Sequence, residues 1–264
     1  MGRSRKAVLV RNPSFFAIAV FNLRRAIGFA QFFKSDANMR LQTKGLHDGV
    51  EKNAGRGEAG LNESELYKSL GVLTKNRGRW KENIPYVSSL LAHDAVKIQA
   101  MALWLLGEIG LVDPVSAQDT VPAIASFCDH PVPLLRARAV NALGRIGRGS
   151  YSVIAPWWKG LFRLAADGAA EVRLSFVWAS ENIAVNTPDL YENHLTVFEK
   201  LLYDADDRVR MEAPEIFRVL GKRRPEFVRP FLEQLRQVSE TDEHRVVRLH
   251  CLGAIKATVS KEAN

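Results

Sequence analysis

Cysteine is scarce in this sequence: the 264 residues include two, Cys128 and Cys251. Since neither belongs to a C-x-x-C pair, the sequence indicates neither a disulfide framework nor a cysteine zinc site. Cys251 falls in an apolar position of a helical pattern and Cys128 at a helix end. We therefore expect two reduced packing residues in a protein of the reducing cytoplasm.

Motifs of the common catalytic sites are missing as well. The chain has no G-x-x-x-x-G-K-S/T phosphate loop, no G-x-G-x-x-G dinucleotide fingerprint, no H-E-x-x-H zinc motif and no G-x-S-x-G nucleophile elbow. Its six histidines lie mostly in turns, which offer too few additional ligands for a zinc site. The sequence therefore predicts no catalytic residue, no metal ion and no cofactor.

Long apolar runs are also absent. The apolar stretch 15–21 ends after seven residues at Asn22 and the Arg24-Arg25 pair, whereas a helix that spans a bilayer needs about 20. The small-residue cleavage site of a secretory signal does not follow this stretch. The sequence therefore predicts no integral membrane insertion. Residues 1–35 are interpreted as a cap on the rest of the chain, a targeting segment or a membrane-surface helix.

Acidic residues are scarce only at the front of the chain. Residues 1–81 contain 16 Lys or Arg against 6 Asp or Glu, a balance of +10, and the remaining 183 residues contain 21 against 23, a balance of −2. The net charge of +8 therefore belongs to the front. Four cations surround Trp80 within residues 75–81, so nucleic acid binding through residues 1–81 is an alternative to a solvated connector there.

From residue 81 to residue 259 the sequence repeats with a period of 37 residues, with one extra residue in the last unit. Four apolar columns are spaced i, i+4, i+7 and i+11 in each unit, which is one face of a helix. The first column contains Ile98, Leu135, Val172, Val209 and Val247. Three further apolar columns upstream indicate a shorter first helix, and turns rich in Asp separate the two helices.

Repeating helical hairpins predict the fold class. One hairpin of this size cannot bury its apolar face alone, so neighbouring hairpins must stack. We therefore expect an all-α fold, a right-handed α-solenoid of about five helical hairpins. The predicted solenoid domain covers residues 61–264, with full repeats over residues 81–259, and residues 1–60 form a basic N-terminal extension and linker.

The repeats resemble HEAT repeats. The resemblance rests on the period, on the Val-Arg pair that opens the second helix in three units, and on helix ends such as Leu143-Gly144-Arg145-Ile146-Gly147. It implies a ladder between adjacent units, in which an aspartate of the turn meets an arginine of the second helix. The implied pairs are Asp129 with Arg136, Asp167 with Arg173, Asp204 with Arg210, and Asp242 with Arg248. Gln99 replaces the arginine of the first unit, so a weaker contact is expected there.

A weaker resemblance concerns activity. The DNA alkylation repair glycosylases are similar HEAT-like solenoids, in which the catalytic acid follows a tryptophan pair by four residues. This chain has Trp157-Trp158, but Phe162 stands at the position of the acid, and Trp158 falls in an apolar column. A nucleic-acid-binding protein related to these glycosylases is therefore the alternative function. Bilin lyases also use such repeats, although no motif here supports that activity.

The predicted binding residues are side chains of the second helices that lie off the apolar stripe. They are Trp104, Glu108, Trp178, Glu181, Glu215 and Arg218. This mixture of acidic, basic and aromatic side chains suits a protein or peptide better than a polyanion. The sequence therefore predicts a non-catalytic scaffold or adaptor that binds a protein or peptide partner on the surface lined by its second helices.

Overall fold

The computed structural model describes residues 62–260, and every regular element in that range is a helix. The predictions made for residues 1–60 lie outside the described range. The α-helices are α1 (Glu63–Lys75), α2 (Ile84–Ser89), α3 (Val96–Val112), α4 (Val121–Ser126), α5 (Pro133–Gly149), α6 (Tyr151–Leu161), α7 (Ala170–Ala184), α8 (Leu195–Leu201), α9 (Asp207–Gly221), α10 (Pro225–Val228), α11 (Leu232–Thr241) and α12 (Arg245–Val259).

Short first helices alternate with longer second helices after α1. The first helices are α2, α4, α6, α8 and α11, and the second helices α3, α5, α7, α9 and α12 have 15 or 17 residues each. Short 3-10 segments, such as Leu90–Ala92 and Phe127–Asp129, continue some of the first helices toward the turn. Within residues 62–260, none of the helices has the length and apolar character that a bilayer span requires.

The apolar columns of the sequence form the core. Every member of the first column, from Ile98 to Val247, is 0% exposed. The second helices pack side by side, α3 on α5, α5 on α7, α7 on α9 and α9 on α12. Full burial of a side chain of this size contributes roughly 1.5–3 kcal/mol, and each column is buried only because neighbouring hairpins are present. The described part of the chain is therefore an α-solenoid of repeated helical hairpins, as the sequence predicted.

The first described helix begins at the capping box that the sequence contains. The Asn62 side chain accepts from the Glu65 backbone N–H at 3.0 Å, and the Glu65 carboxylate accepts from the Asn62 backbone N–H at 3.1 Å. Helix α1 packs on α3. Trp80 follows α1, is 5% exposed, and donates its indole N–H to the Leu73 carbonyl at 2.9 Å. Because Trp80 is buried, its ring is not available to stack on a nucleic acid base.

Two glycines allow close contact between second helices. A Cβ atom at Gly107 would lie 2.8 Å from the Cα of Ala142 in α5, and one at Gly144 would overlap the backbone of Ala179 in α7. A larger residue at either position would therefore separate the helices. The same column continues with Glu181 in α7 and Arg218 in α9, so the later units pack without this glycine contact.

Arginine–aspartate pairs connect three successive pairs of hairpins. Arg173 donates from Nε and Nη2 to the two carboxylate oxygens of Asp204 at 2.7 and 2.6 Å. Its Nη1 donates to the Asp167 backbone carbonyl at 2.8 Å, so one guanidinium holds its own turn and the next turn. Arg136 binds Asp167 through the same two nitrogens, and Arg210 binds Asp242 through Nε.

The pairing implied by the resemblance is therefore wrong by one unit. Arg136, Arg173 and Arg210 bind the carboxylates of the following turn through Nε. To their own turn they donate from Nη1, and the acceptors there are backbone carbonyls. Arg248 likewise donates from Nη1 to the Asp242 and Glu243 carbonyls of its own turn, at 2.7 and 3.0 Å. Asp129 pairs instead with Arg163 at 2.7 Å, and the Asp129 side chain is 72% exposed.

Histidine takes the place of the ladder aspartate in the first two turns. The period aligns His93 and His130 with Asp167. His130 Nδ1 accepts from the Val132 backbone N–H at 3.1 Å, as the Asp167 carboxylate accepts from the Ala169 N–H at 2.9 Å. The imidazole of His130 therefore accepts the same backbone hydrogen bond that the Asp167 carboxylate accepts in its turn. In the first unit Gln99 donates to the Leu91 carbonyl at 3.1 Å.

Burial and pairing act in opposite directions on the ladder carboxylates. Burial by itself would raise the pKa of Asp204, but hydrogen bonds from Arg173 and from the Asp206 backbone N–H outweigh it and hold that pKa below its usual value. The pKa of Asp167 is lowered against its burial in the same way, by Arg136 and the Ala169 N–H. Both carboxylates therefore stabilise the stacked form in the ionised state.

The two cysteines are packing residues. Cys128 and Cys251 are buried and unpaired within the described range. Burial raises the pKa of each thiol to about 12, so the reactive thiolate is strongly disfavoured at neutral pH.

We expect Gly144→Ala to lower the free energy of unfolding by about 1–3 kcal/mol, because the added methyl forces α5 away from α7. Gly160→Ala is the matched control: no atom lies within 4 Å of a Cβ at Gly160, so this change should be neutral or should stabilise α6 by about 0.5–1 kcal/mol. Urea unfolding of both variants measures the difference. Equal effects would show that close packing at Gly144 does not limit the stack.

We expect Asp204→Asn to lower the free energy of unfolding at pH 7 by about 2–4 kcal/mol, because it leaves the charge of Arg173 largely buried without a counter-charge. Since the folded-state pKa of Asp204 is lowered, its contribution is complete above the unfolded pKa of about 4 and disappears as the pH falls through the folded value. The free energies of unfolding of the parent protein and of Asp204→Asn should therefore converge as the pH falls toward about 2. Urea unfolding at several pH values between about 7 and 2 measures this convergence.

Asp129→Asn serves as the control for the ladder experiment, because the Asp129–Arg163 pair is exposed and should contribute about 1 kcal/mol or less. A loss for Asp129→Asn as large as that for Asp204→Asn, or an Asp204→Asn effect that is independent of pH, would contradict the ladder's role.

Candidate binding surface

The second helices carry rows of side chains beside the four apolar columns, and neighbouring rows lie side by side because the helices do. We call this area the second-helix surface. Its central column contains Trp104, Asn141, Trp178, Glu215 and Gly253, flanked by the columns Met101, Arg138, Ser175, Glu212, His250 and Glu108, Arg145, Asn182, Val219, Ala257. Trp104, Asn141 and Trp178 are partly exposed. Aromatic and polar groups of three adjacent units are thus presented together.

A buried ion pair supports the tryptophan of α3. Glu108 is 3% exposed, and its Oε1 lies 3.1 Å from Arg145 Nε in α5. The Arg145 guanidinium carbon lies 5.9 Å from the centroid of the Trp104 ring, within the range of a cation–π contact. Arg145 therefore links a buried carboxylate to a partly exposed ring. The Glu108–Arg145 ion pair thus fixes the positions of the Arg145 and Trp104 side chains.

Polar contacts join α5 to α7 beside the second tryptophan. Asn141 donates to the Ser175 hydroxyl at 3.0 Å, and Arg148 Nη1 donates to Asn182 Oδ1 at 3.3 Å. Asn182 in turn donates to the Trp178 backbone carbonyl at 2.9 Å. These bonds hold the side chains around Trp178 in place, so this part of the surface is ordered by neighbouring helices.

A second buried carboxylate lies between α9 and α12. Glu215 is 2% exposed and accepts from Arg218 Nε at 2.7 Å. His250 Nδ1 lies 3.6 Å from Glu215 Oε1 and 2.5 Å from the Met211 backbone oxygen. Nearby, burial lowers the pKa of Lys222, and repulsion from Arg218 lowers it further. This end of the surface therefore combines one buried carboxylate with several cationic groups.

The structure changes the roles predicted for several binding residues. Trp104 and Trp178 are partly exposed, as a contact residue must be. Glu108 and Glu215 are buried, so their carboxylates hold Arg145 and Arg218 and do not reach a partner directly. Glu181 and Arg218 belong to the column of Gly107 and Gly144, which faces the next unit and not the centre of the second-helix surface.

Sequence reasoning missed the arginines of α5. Arg138, Arg145 and Arg148 project from one side of this helix at positions i, i+7 and i+10. None of the three is among the binding residues that the sequence predicts. The period contained the missing signal, because it aligns Arg145 with Glu108 and Arg138 with Met101, on either side of the column that includes both tryptophans.

The tryptophan pair of the first helix α6 is a packing feature. Trp158 is 4% exposed, and its ring centroid lies 5.0 Å from Phe162, 5.8 Å from Tyr191 and 5.2 Å from His194. Phe162 thus completes an aromatic cluster at the position where the glycosylases have an acid. In the part of the chain that the structure describes, no three His, Cys, Asp or Glu side chains come together as metal ligands.

The burial of the Glu108–Arg145 pair is unequal, and this predicts unequal effects of substitution. The Arg145 side chain is 25% exposed and the Glu108 side chain 4% exposed. Arg145→Met should therefore lower the free energy of unfolding by about 2–4 kcal/mol, since it removes a cation that pairs with a buried carboxylate. Glu108→Gln should lower it by about 1 kcal/mol, because Arg145 can turn toward water.

Urea unfolding of the two single variants and of the double variant measures this asymmetry. The double variant should be more stable than Arg145→Met alone, because no charge is then buried unpaired. Two equal single effects that add in the double variant would contradict the proposed pairing.

Comparison with solved structures shows the same fold. The chain is similar to an engineered protein from a structural genomics consortium, with a TM-score of 0.58, 16% identity, and coverage of 75% of this chain and 90% of that one. It is also similar to a designed armadillo repeat protein in complex with the peptide (KR)4, with a TM-score of 0.55, 21% identity, and coverage of 75% and 94%. The CpcE and CpcF complex of phycocyanin lyase from Nostoc sp. matches with a TM-score of 0.50, 19% identity, and coverage of 66% and 98%.

Comparison of the sequence with curated proteins gives no match. A family model, described as sister chromatid cohesion protein PDS5, matches residues 85–254. This range runs from α2 into α12 and includes the central column of the second-helix surface, from Trp104 to Gly253. Since the match extends over more than half of the 264 residues, the chain belongs to the PDS5 family of helical-repeat proteins.

Proposed function

We propose that the protein is a non-catalytic scaffold that binds an acidic, extended segment of a protein partner across α3, α5 and α7. The observation that supports this proposal is the arginine row of α5 between two partly exposed tryptophans, Trp104 and Trp178. No binding motif in the sequence names the partner. The chemistry of the surface defines which kind of segment fits it.

The spacing of the tryptophans suits a short extended segment. They are equivalent residues two units apart, on α3 and α7. Packed helices lie roughly 8–10 Å apart, so the two rings are separated by about 20 Å, which is the length of about six extended residues. Two apolar side chains of such a segment can each contact one ring, and aromatic residues of this kind often dominate the binding free energy.

The charge between the tryptophans favours an acidic segment. The rows of α3, α5 and α7 on and beside the second-helix surface contain four cations and two carboxylates, namely Lys97, Arg138, Arg145, Arg148, Glu108 and Glu171. Lys97 pairs with Glu63 of α1 at 2.6 Å, so the arginines of α5 supply the remaining positive charge. Glu108 is buried, so its charge is directed toward Arg145 and not toward a ligand. Arginine presents a planar fork of donors that binds carboxylates in a bidentate geometry. An aspartate or glutamate between the two apolar anchors therefore complements this row.

One structural neighbour resembles the proposed complex in its peptide ligand and differs from it in the charge of that ligand. The designed armadillo protein is in complex with the basic peptide (KR)4. It supports the use of such a helical stack for an extended peptide. The arginines of α5 support the opposite charge preference for this chain.

The proposal is tested by fluorescence anisotropy with three labelled peptides of equal length, in which two leucines flank a central acidic, neutral or basic stretch. The acidic peptide should bind tightest, and added salt should weaken it most. Trp178→Ala and Arg148→Gln should each weaken binding of the acidic peptide by about tenfold or more.

Matched control variants localise the binding. Trp157→Ala changes a partly exposed tryptophan on the first helix α6, and Arg163→Gln changes an exposed arginine near the same helix; both should leave the affinity unchanged. If all four variants bind alike, the basic segment 1–81 attracts the peptide and the proposal fails. Tighter binding of duplex DNA than of the acidic peptide, lost in Arg148→Gln, would instead support the nucleic acid alternative.

A further inference from the structure

Helix α12, the last helix that the structure describes, exposes an apolar face. Leu249 and Leu252 are 50% and 51% exposed, and Val259 is 39% exposed. Together with Arg245 and Lys256 they follow the spacing of one helical face. The face is thus apolar along its middle, and two cations accompany the apolar side chains.

The equivalent face of the earlier second helices is the one that contacts the next unit. The period aligns Leu249 with Leu174 of α7 and Leu252 with Val177, which are 8% and 0% exposed. It aligns Lys256 with Gly144, which touches Ala179 of the following helix. The exposed face of α12 is therefore a stacking face of the kind that buries the next hairpin elsewhere in the molecule.

Arg248 repeats one half of the ladder contact. Its Nη1 donates to the Asp242 and Glu243 carbonyls at 2.7 and 3.0 Å, as Nη1 of Arg173 does in its own turn. In Arg136 and Arg173 the Nε and Nη2 edge binds an aspartate 31 residues further on. For Arg248 this edge has no partner among residues 62–260.

We propose that this end face binds a helical hairpin of a partner protein whose turn presents an aspartate to Arg248. Charge complementarity indicates an acidic partner, because the equivalent guanidinium edge binds an aspartate at three other positions of this molecule. Arg245 and Lys256 add positive charge to the exposed face, which also favours an acidic hairpin. This surface differs from the second-helix surface, so the inference does not depend on the proposed function.

Lys256 adds a condition on the incoming helix. Glycine at the equivalent positions 107 and 144 permits the closest helix contact, and Lys256 does not. Arg218 occupies the same column in α9, and its Cδ would lie 3.6 Å from a Cβ at Gly253 of α12. A partner helix therefore needs a small residue opposite Lys256, so that the aliphatic part of the lysine packs while its ammonium reaches water.

The probe for this surface is a labelled synthetic peptide of residues 225–260, since it contains the hairpin that Arg210 already accepts, with Asp242 in its turn. Fluorescence anisotropy with the full chain should show binding that Leu252→Lys weakens by about tenfold or more. Asp242→Asn in the peptide should weaken binding to the parent protein by about fivefold to tenfold, and this difference should disappear with the Arg248→Gln protein.

Arg245→Gln is the matched control, since Arg245 lies on the same face outside the ladder column, and it should preserve the preference for the Asp242 peptide. A preference that survives Arg248→Gln would show exchange of the peptide into the Arg210 contact and would overturn the proposal. Absence of binding would overturn it too. A dimer of the protein alone in sedimentation, lost in Leu252→Lys, would assign the face to a second copy and reject a partner hairpin.

Discussion

The hairpins of residues 62–260 bury their apolar faces against adjacent hairpins and not by themselves. The first apolar column is fully buried from Ile98 to Val247, and it is buried by helices of the adjacent units. Gly107 and Gly144 show how close that contact is, since neither position has room for a Cβ. Side-by-side packing of the second helices therefore determines both the stability of the chain and the arrangement of every side chain on its surface.

The arginine–aspartate ladder fixes the orientation of one hairpin relative to the next. Apolar contacts are tolerant of small rotations, whereas Arg173 satisfies two oxygens of Asp204 and a carbonyl of its own turn at once. A planar guanidinium with three such bonds fixes the relation between two successive turns. The ladder is incomplete where Gln99 and the histidine turns replace its members. Close glycine contacts occur both early in the stack, at Gly107 and Gly144, and late, where a Cβ at Gly221 of α9 would overlap Thr258 of α12. The two devices thus overlap only partly along the stack.

The same stacking produces the candidate binding surface. Trp104, Arg145 and Trp178 are far apart in the sequence, and they become neighbours because α3, α5 and α7 are adjacent. Glu108 contributes from beneath the surface: its buried carboxylate holds Arg145, whose guanidinium lies over the Trp104 ring. A surface of this kind is ordered before a ligand arrives, which reduces the entropy lost on binding.

The sequence by itself determined the helical repeat, the identity of the core columns and the surface on which non-core side chains collect, because a period of 37 residues aligns apolar positions that only a helix places on one face. It also determined that Trp158 belongs to the packing. Tertiary structure alone decided the one-unit offset of the ladder, the burial of Glu108 and Glu215, and the contact of Arg145 with the Trp104 ring. These features depend on which atom of one unit lies nearest to the next, and a periodic pattern gives the equivalence of positions without the distance between them.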